Sequence, residues 1–135
     1  MRTNTGMTIY NKYASSGTVI YQRTQVPDVH WESVKQVNKQ KYGAIEANKA
    51  LILIPYARGT NYLKSKAWLA LVTKTGKWTL TDGDVVVKGL VTDEITGAFT
   101  VTSLKNKYDD VLEINSVDLH DMGSLNMWHW EIGAK

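Results

Sequence analysis

The sequence contains no cysteine, only two prolines, a single phenylalanine and no long hydrophobic run. Without cysteine the chain can form neither a disulfide framework nor a thiolate metal site, and this composition suits a reducing cytoplasm. The apolar runs, such as Ala50 to Ile54 with five residues and Ala67 to Val72 with six, are far too short to cross a bilayer. The first residues also lack the apolar stretch of a signal peptide. We therefore expect a soluble protein, made in the cytosol, that has no membrane partner.

The length of 135 residues fits one domain, residues 1–135, large enough to bury a core without staples. The net charge of +3 does not diagnose nucleic-acid binding, but the charges are unevenly distributed. Residues 1–66 carry ten Lys/Arg against three Asp/Glu, a net +7, and residues 67–135 carry six against ten, a net −4. The asymmetry indicates either chance differences between solvated faces or a subunit with a basic and an acidic face, as head-to-tail ring contacts favour. Because strands can interleave, the two halves need not correspond to faces.

The first third of the chain has the composition of β-strands. Met7 to Tyr13 and Thr18 to Thr24 are rich in Tyr, Ile, Val and Thr, and residues 14–17 between them predict a hairpin turn. Val26 to Lys35 alternates apolar and polar residues, which predicts a half-buried strand. Proline cannot donate to a ladder, so Pro27 is expected at the beginning of this strand or on an edge.

The middle of the chain predicts a buried strand and one clear helix. Ala50 to Ile54 is apolar on both faces and stopped by Pro55, which indicates a central strand covered on two sides. Ser65 to Val72 has Trp68 and its apolar partners at helical spacing, with Ser65 as the expected N-cap.

The last part of the chain predicts two further strand pairs. Trp78 to Leu80 and Val85 to Val87 flank a strong turn signal, Val101 to Tyr108 forms a second short helix capped by Thr102 or Ser103, and Asp110 to Asp118 pairs with Met127 to Ile132. Six to eight short strands result. We predict a mainly β fold, a small antiparallel β-barrel or sandwich with one or two short helices.

No arrangement of residues indicates catalysis. The adjacent carboxylates Asp82 and Asp84, and Asp109 and Asp110, lie in predicted turns, where aspartate bonds its own backbone. The sequence contains no nucleophile elbow, phosphate-binding loop or dinucleotide-binding motif. We expect a protein that is not an enzyme.

The histidines give a weak metal signal. Only His120 and His129 can face each other across the closing hairpin, with Asp118, Asp121 or Glu131 to complete a site. Their spacing matches no metal-binding signature, and the polar face of a strand pair explains the same residues. We therefore predict no metal and no cofactor.

Two features point to surfaces that could act on partners. Trp128 and Trp130 share one face of a strand, where they belong either to the core, which is favoured, or to a subunit interface. Residues 36–48 predict a loop whose lysines, Lys39 and Lys41 with Lys35 before them, make a basic arm. This loop is either a plain surface loop or an element that lines a pore, contacts DNA phosphates or orders on a partner.

Several segments in series resemble a family of small structural proteins encoded in the head–tail region of long-tailed phages of Gram-positive bacteria, often labelled minor capsid protein. The resemblance spans most of the chain in order, although residues 36–48 match least and Leu125 stands where the family tends to have proline. The matching segments are residues 8–13, 21–24, 30–32, 54–55, 66–68, 78–80, 84–89, 107–111, 116–118, 123–124, 127 and 129–133.

The resemblance implies a virion protein of the neck, assembled in the host cytoplasm, most consistent with a head-closure (stopper) subunit. Such a protein forms a homo-oligomeric ring, a hexamer or dodecamer, between the portal or adaptor ring and the tail terminator or tail tube. It retains packaged double-stranded DNA, which it contacts non-specifically, and docks the tail. Lys39 and Lys41 would then face the DNA channel. The alternatives are a tail terminator or other neck subunit, or a nucleic-acid-binding β-barrel module.

Overall fold

Six antiparallel strands close into a barrel in the part of the chain, residues 3–33 and 49–135, that the computed structural model describes. Their order around the barrel is β1-β2-β3-β6-β5-β4. The strands are β1 Thr5–Ser15, β2 Thr18–Ser33, β3 Ala50–Pro55, β4 Val85–Lys88, β5 Val111–His120 and β6 His129–Ala134. The helices in these residues are α1 Ser65–Leu69 and α2 Val101–Lys107, with 3-10 turns at Tyr56–Arg58 and Leu125–Met127. The predicted fold class, a mainly β barrel with two short helices, is confirmed.

The predicted first hairpin is formed by β1 and β2. Ser15 and Thr18 are partners, so the connection is the two-residue turn of Ser16 and Gly17, both at positive φ (51° and 77°). Two positive φ values in a two-residue loop match the right-handed twist of the flanking strands, and glycine adopts this conformation without strain.

The two segments predicted on either side of Gln25 form one continuous strand, β2, with Pro27 inside it. The prediction that Pro27 begins a strand or lies on an edge is wrong. The ladder shifts register between Met7↔Val26 and Thr5↔Val29, so Pro27 lies in a β-bulge, where its missing N–H leaves no ladder bond unmade. Beyond the bulge, β2 exchanges β1 for β3 as its partner, starting at His30.

The interior of the barrel is filled by alternate residues of the strands. In β3 the side chains of Ala50, Ile52 and Ile54 are buried, while Leu51 and Leu53 lie on the outer face and are only partly buried. The prediction that this strand is covered on both faces is therefore wrong. A barrel wall has one inner and one outer face, and no element of the described chain fully covers the outer face here.

The strand that is covered on both faces is β4. Val86 packs inside the barrel, whereas Val85 and Val87 pack outside it with Tyr10 and Leu104, beneath the connection from β4 to β5. This connection contains α2, and its N-cap is Thr100 in a capping box with Ser103. The second predicted helix is thus present, and its cap lies a few residues earlier than expected.

Asp93 fastens the same connection to the wall. Its backbone carbonyl accepts a 2.7 Å hydrogen bond from the hydroxyl of Tyr10, and its carboxylate accepts from the Tyr108 hydroxyl and, at 3.0 Å, from the Lys107 ammonium. The Tyr108 hydrogen bond, followed by the Lys107 contact, lowers the pKa of Asp93. Burial raises the pKa of Tyr10.

The first predicted helix is shorter than expected. It ends at Leu69, and Val72 is fully exposed instead of packing beside Trp68, which is buried. Lys64, not Ser65, occupies the N-cap position. The hydroxyl of Ser65 contacts the Thr81 hydroxyl at 2.6 Å and the Leu80 carbonyl, so tertiary hydrogen bonds replace the predicted cap. None of the helices in the described residues is long and apolar enough to span a bilayer.

Residues 78–80, predicted as a strand, are held to the wall mainly by a side chain rather than by a ladder. The only bridge they make in the described chain is the single parallel pair Tyr62↔Trp78. Asn11, fully buried in β1, donates to the Thr79 carbonyl at 2.7 Å and accepts from the Thr79 N–H at 3.2 Å. The side-chain amide thus makes the two hydrogen bonds, one donated and one accepted, that a paired backbone residue would make. The alternation of apolar and polar residues along a strand does not predict such a contact.

Asp84 completes this buried polar cluster at the end of the turn before β4. Its carboxylate accepts hydrogen bonds from Asn11 Nδ2 at 2.8 Å, Lys12 N–H at 3.0 Å and Thr81 N–H at 3.2 Å. Burial raises the pKa of Asp84, and the hydrogen bonds from Lys12, Asn11 and Thr81 counteract that shift in part. Because all three partners are donors, the site requires an acceptor on both carboxyl oxygens.

We expect Asp84→Asn to destabilise the fold by about 1–3 kcal/mol, because the new amide NH₂ turns a donor toward existing donors. Urea unfolding measures the change, with Asp82→Asn as the matched control on the exposed side of the same turn. Equal unfolding midpoints for the two variants would contradict the role assigned to Asp84.

Candidate interaction surfaces and histidine cluster

The predicted DNA-contacting residues Lys39 and Lys41 lie outside the described residues, as does Lys35. The flanks of this segment are described. Ser33 and Ala50 are cross-strand partners at the end of the β2–β3 ladder, and the Lys49 N–H donates to the Ala134 carbonyl at 2.8 Å. The last residue of β2 and the first of β3 therefore lie together at one end of the barrel, beside its last strand, and this end is called the 34–48 end.

The two tryptophans predicted to share a face occupy different environments. Trp130 is buried inside the barrel, where its ring lies 4.6 Å from Tyr62 and stacks 5.1 Å from Tyr56. Trp128 precedes β6, is partly buried and packs its edge against Tyr56 at 5.2 Å. Trp130 thus belongs to the core, and Trp128 lies at the boundary between core and surface.

Gly59 allows the ring of Trp130 to reach its position. A Cβ at residue 59 would lie 2.3 Å from Trp130 Cη2 and 2.9 Å from Cζ3. The ring cannot move aside easily, because Tyr56, Tyr62 and Trp78 surround it. The φ of Gly59 is −88°, so the need for glycine here is one of space.

An exposed apolar surface lies on the connection between β5 and β6. Met122, Leu125 and Met127 are 82%, 60% and 65% exposed, and Leu119 at the end of β5 is also exposed. Neighbouring strands are all antiparallel, so this connection lies at the opposite end of the barrel from residues 34–48, and this end is called the 121–128 end. Clustered large apolar side chains in solvent are typical of protein contact sites.

The sequence contains a signal for this exposed apolar surface, but a search for strand and turn patterns does not detect it. Met122 and Leu125 stand between the two predicted strands of the closing pair, where polar residues are usual, and Met127 is predicted to begin the second of these strands. Reading the segment only as a turn missed their exposure.

The strands from the two halves of the sequence form two sides of the barrel wall. β1, β2 and β3 are neighbours in the wall, and so are β4, β5 and β6. Residues 3–33 and 49–66 carry six Lys/Arg against two Asp/Glu, a net +4, whereas residues 67–135 carry six against ten, a net −4. The strands carry only part of this difference, because β1 to β3 have two Lys/Arg against two Asp/Glu, a net of zero, and β4 to β6 have one Lys against three Asp/Glu, a net −2. The rest of the difference lies in the connections between strands.

His120 and His129 face each other on the outer face of the wall. They are cross-strand partners, their rings are parallel within 3° and their centroids lie 4.9 Å apart. His120 Nε2 lies 2.6 Å from Glu131 Oε2, and His129 Nδ1 lies 3.0 Å from the Met127 carbonyl. Coordinating atoms of His120, His129 and Glu131 all lie within 4.8 Å of one another. These three residues could together hold a metal ion.

The other acidic residues considered from the sequence are placed differently. Asp118 is the cross-strand partner of Glu131, while neither Asp118 nor Asp121 belongs to the three-residue group. Asp84 is engaged by backbone and amide donors in the buried cluster, and its neighbour Asp82 is exposed. Asp109 and Asp110 are exposed before β5.

We expect Gly59→Ala to destabilise the fold by about 1–3 kcal/mol, because the added methyl forces a buried ring out of place. Gly97→Ala is the matched control, since a Cβ there meets nothing within 4 Å and its φ is not positive. Thermal and urea unfolding of both variants, with near-ultraviolet circular dichroism of the tryptophans, measure the effect. A Gly59→Ala protein as stable as the control would show that the ring can shift at no cost.

Comparison with protein families gives a match to DUF6751, described as a family of unknown function, over residues 2–135. No curated protein and no solved structure matches the chain. Since the match spans nearly the whole sequence, the chain belongs to the DUF6751 family.

Proposed function

We propose that this protein is a structural subunit of a tailed-phage neck, a head-closure protein that forms a ring, retains packaged DNA and docks the tail. The proposal combines the resemblance noted in the sequence with the closed shape of the barrel and its exposed apolar surface. The apolar surface at the 121–128 end, opposite the end where β2 and β3 flank residues 34–48, is the observation that carries it.

Two unlike sides suit a head-to-tail ring. In such a ring each subunit contacts its neighbours through two different surfaces, which must complement one another. The strands β1 to β3 have no net charge and β4 to β6 have a net −2, so the two sides of the wall are unlike, as such a ring needs. A closed barrel has no open strand edge, so neighbours associate through side chains rather than by adding a strand.

The two ends of the barrel differ in a way that suits a connector between two unlike partners. At the 34–48 end, β2 and β3 flank the residues that include Lys39 and Lys41, and long cationic side chains of this kind can meet DNA phosphates without reading sequence. The 121–128 end presents Met122, Leu125 and Met127, which suit an apolar contact with a protein. We assign the first end to the DNA channel and the second to a neighbouring ring.

A tail terminator would use the same ring geometry, and the order of assembly separates the two roles. A head-closure protein binds to filled heads before any tail is present, whereas a tail terminator co-purifies with free tails. A soluble nucleic-acid-binding module would instead bind free single strands as a monomer, with an affinity that falls as salt increases.

We expect the chain to be present in purified phage particles in a fixed ratio to the portal protein. Particles made without the gene should be heads that lack tails and have lost their DNA. Quantitative mass spectrometry and electron microscopy of particles from matched lysates measure both outcomes. Absence of the chain from particles, or normal tailed particles without the gene, would refute the proposal.

We expect the double variant Lys39→Gln/Lys41→Gln to assemble into particles that retain less DNA, because cations facing the phosphate backbone have been removed. The measurement is nuclease-protected DNA per particle. Lys64→Gln/Lys66→Gln is the matched control, with the same charge change on exposed residues of the connection at the opposite end. Normal DNA retention in the first variant, or equal loss in both, would contradict the channel assignment.

A further inference from the structure

We propose that His120, His129 and Glu131 form a binding site for one divalent transition-metal ion, with Zn²⁺ as the best match. The site lies on the outer face of β5 and β6, at the 121–128 end of the barrel. It does not depend on the neck assignment, since it follows from the register and hydrogen bonds of one hairpin.

The strand register brings the three ligands together. His120 and His129 are directly opposite in the β5–β6 ladder, and Glu131 follows His129 by two residues, so it projects from the same face. Trp130 between them points into the barrel and is buried, which fixes the outward direction of its two neighbours. The ligands thus stand on two paired strands of a closed wall rather than on a loop.

The hydrogen bond of the His129 ring leaves its other ring nitrogen free to bind a metal. A carbonyl oxygen only accepts, so the 3.0 Å contact with the Met127 carbonyl places a proton on His129 Nδ1. In the neutral ring, Nε2 then carries the free lone pair. Metal-binding histidines commonly have this arrangement, with the other ring nitrogen donating to a backbone carbonyl.

The His120–Glu131 contact marks the position of the ion. His120 Nε2 and Glu131 Oε2 lie 2.6 Å apart, at hydrogen-bond distance. A metal ion can take the place of the proton between these two atoms. Three donor atoms within 4.8 Å need only side-chain rotations to reach the separation of about 3.4 Å that tetrahedral ligands have at metal distances of about 2.1 Å. The rotations are accessible because His120 and Glu131 are partly exposed.

The ligand set selects the type of ion. Two imidazoles and one carboxylate suit Zn²⁺ and neighbouring transition metals, whereas Mg²⁺ and Ca²⁺ favour sets made of oxygen atoms. Three protein ligands leave a fourth position of a tetrahedral ion open. Asp118, opposite Glu131 in the ladder, or a water molecule could fill that position.

A tag-free, chelator-treated sample tests the site. We expect saturable binding of one Zn²⁺ per chain by calorimetry, a visible absorption band on Co²⁺ titration from tetrahedral coordination, and a rise in the melting temperature with Zn²⁺ but not with Mg²⁺. His120→Ala, His129→Ala and Glu131→Gln should each weaken Zn²⁺ binding at least about tenfold.

His30→Ala is the matched control. His30 lies in β2, and its cross-strand partner Leu53 lies in β3, the strand that separates β2 from β6. His30 is not one of the three proposed ligands. Unchanged Zn²⁺ binding in this variant, with loss in the other three, supports the site. No saturable binding by the unmodified chain, binding retained after both His120→Ala and His129→Ala, or equal loss in His30→Ala would each overturn it. Melting curves without metal show that every variant compared is folded.

Discussion

The structure depends on the insertion of β6 between β3 and β5. This last strand forms a ladder on each side, from Ala50↔Ala134 to Pro55↔His129 with β3 and from Ile114↔Ala134 to His120↔His129 with β5. Its inward residues Trp130 and Ile132 belong to the core. Without β6, two strands would have open edges and the interior would be exposed to water, so closure and core formation are one event.

Closure also determines which parts of the surface remain available. A barrel has an inner face that is filled by side chains and an outer face that other elements cover only in part. Here the β4–β5 connection covers the wall around β4, the outer face of β3 carries the partly buried Leu51 and Leu53, and the outer face of β5 and β6 keeps polar groups in solvent. The connection at the 121–128 end then exposes large apolar side chains.

The histidine cluster and the exposed apolar surface are neighbours. His120 ends β5, His129 begins β6, and the residues between them carry Met122, Leu125 and Met127. An ion held by the two histidines and Glu131 would join the two strands at the base of this connection. Metal binding and presentation of the apolar side chains would then be linked through a short covalent path.

Sequence patterns determined the fold class, the first hairpin, the closing strand pair and the presence of α2, because strand alternation and turn composition are local properties. They could not give the bulge at Pro27, since its position depends on β2 exchanging one partner for another. They also could not predict that Trp130 is buried while Trp128 is only partly buried, because that difference in burial depends on where β6 begins in the wall.

The candidate sites divide in the same way. The presence of paired histidines was already in the sequence, but the register decided that Glu131 completes the group. The strand order likewise decided that the strands of each half are neighbours in the wall. Asn11 and Asp84 show the same limit, because their buried partners are distant in the chain. The sequence by itself determined which elements form, and the tertiary structure decided which residues meet, because barrel closure joins strands that are far apart along the polypeptide.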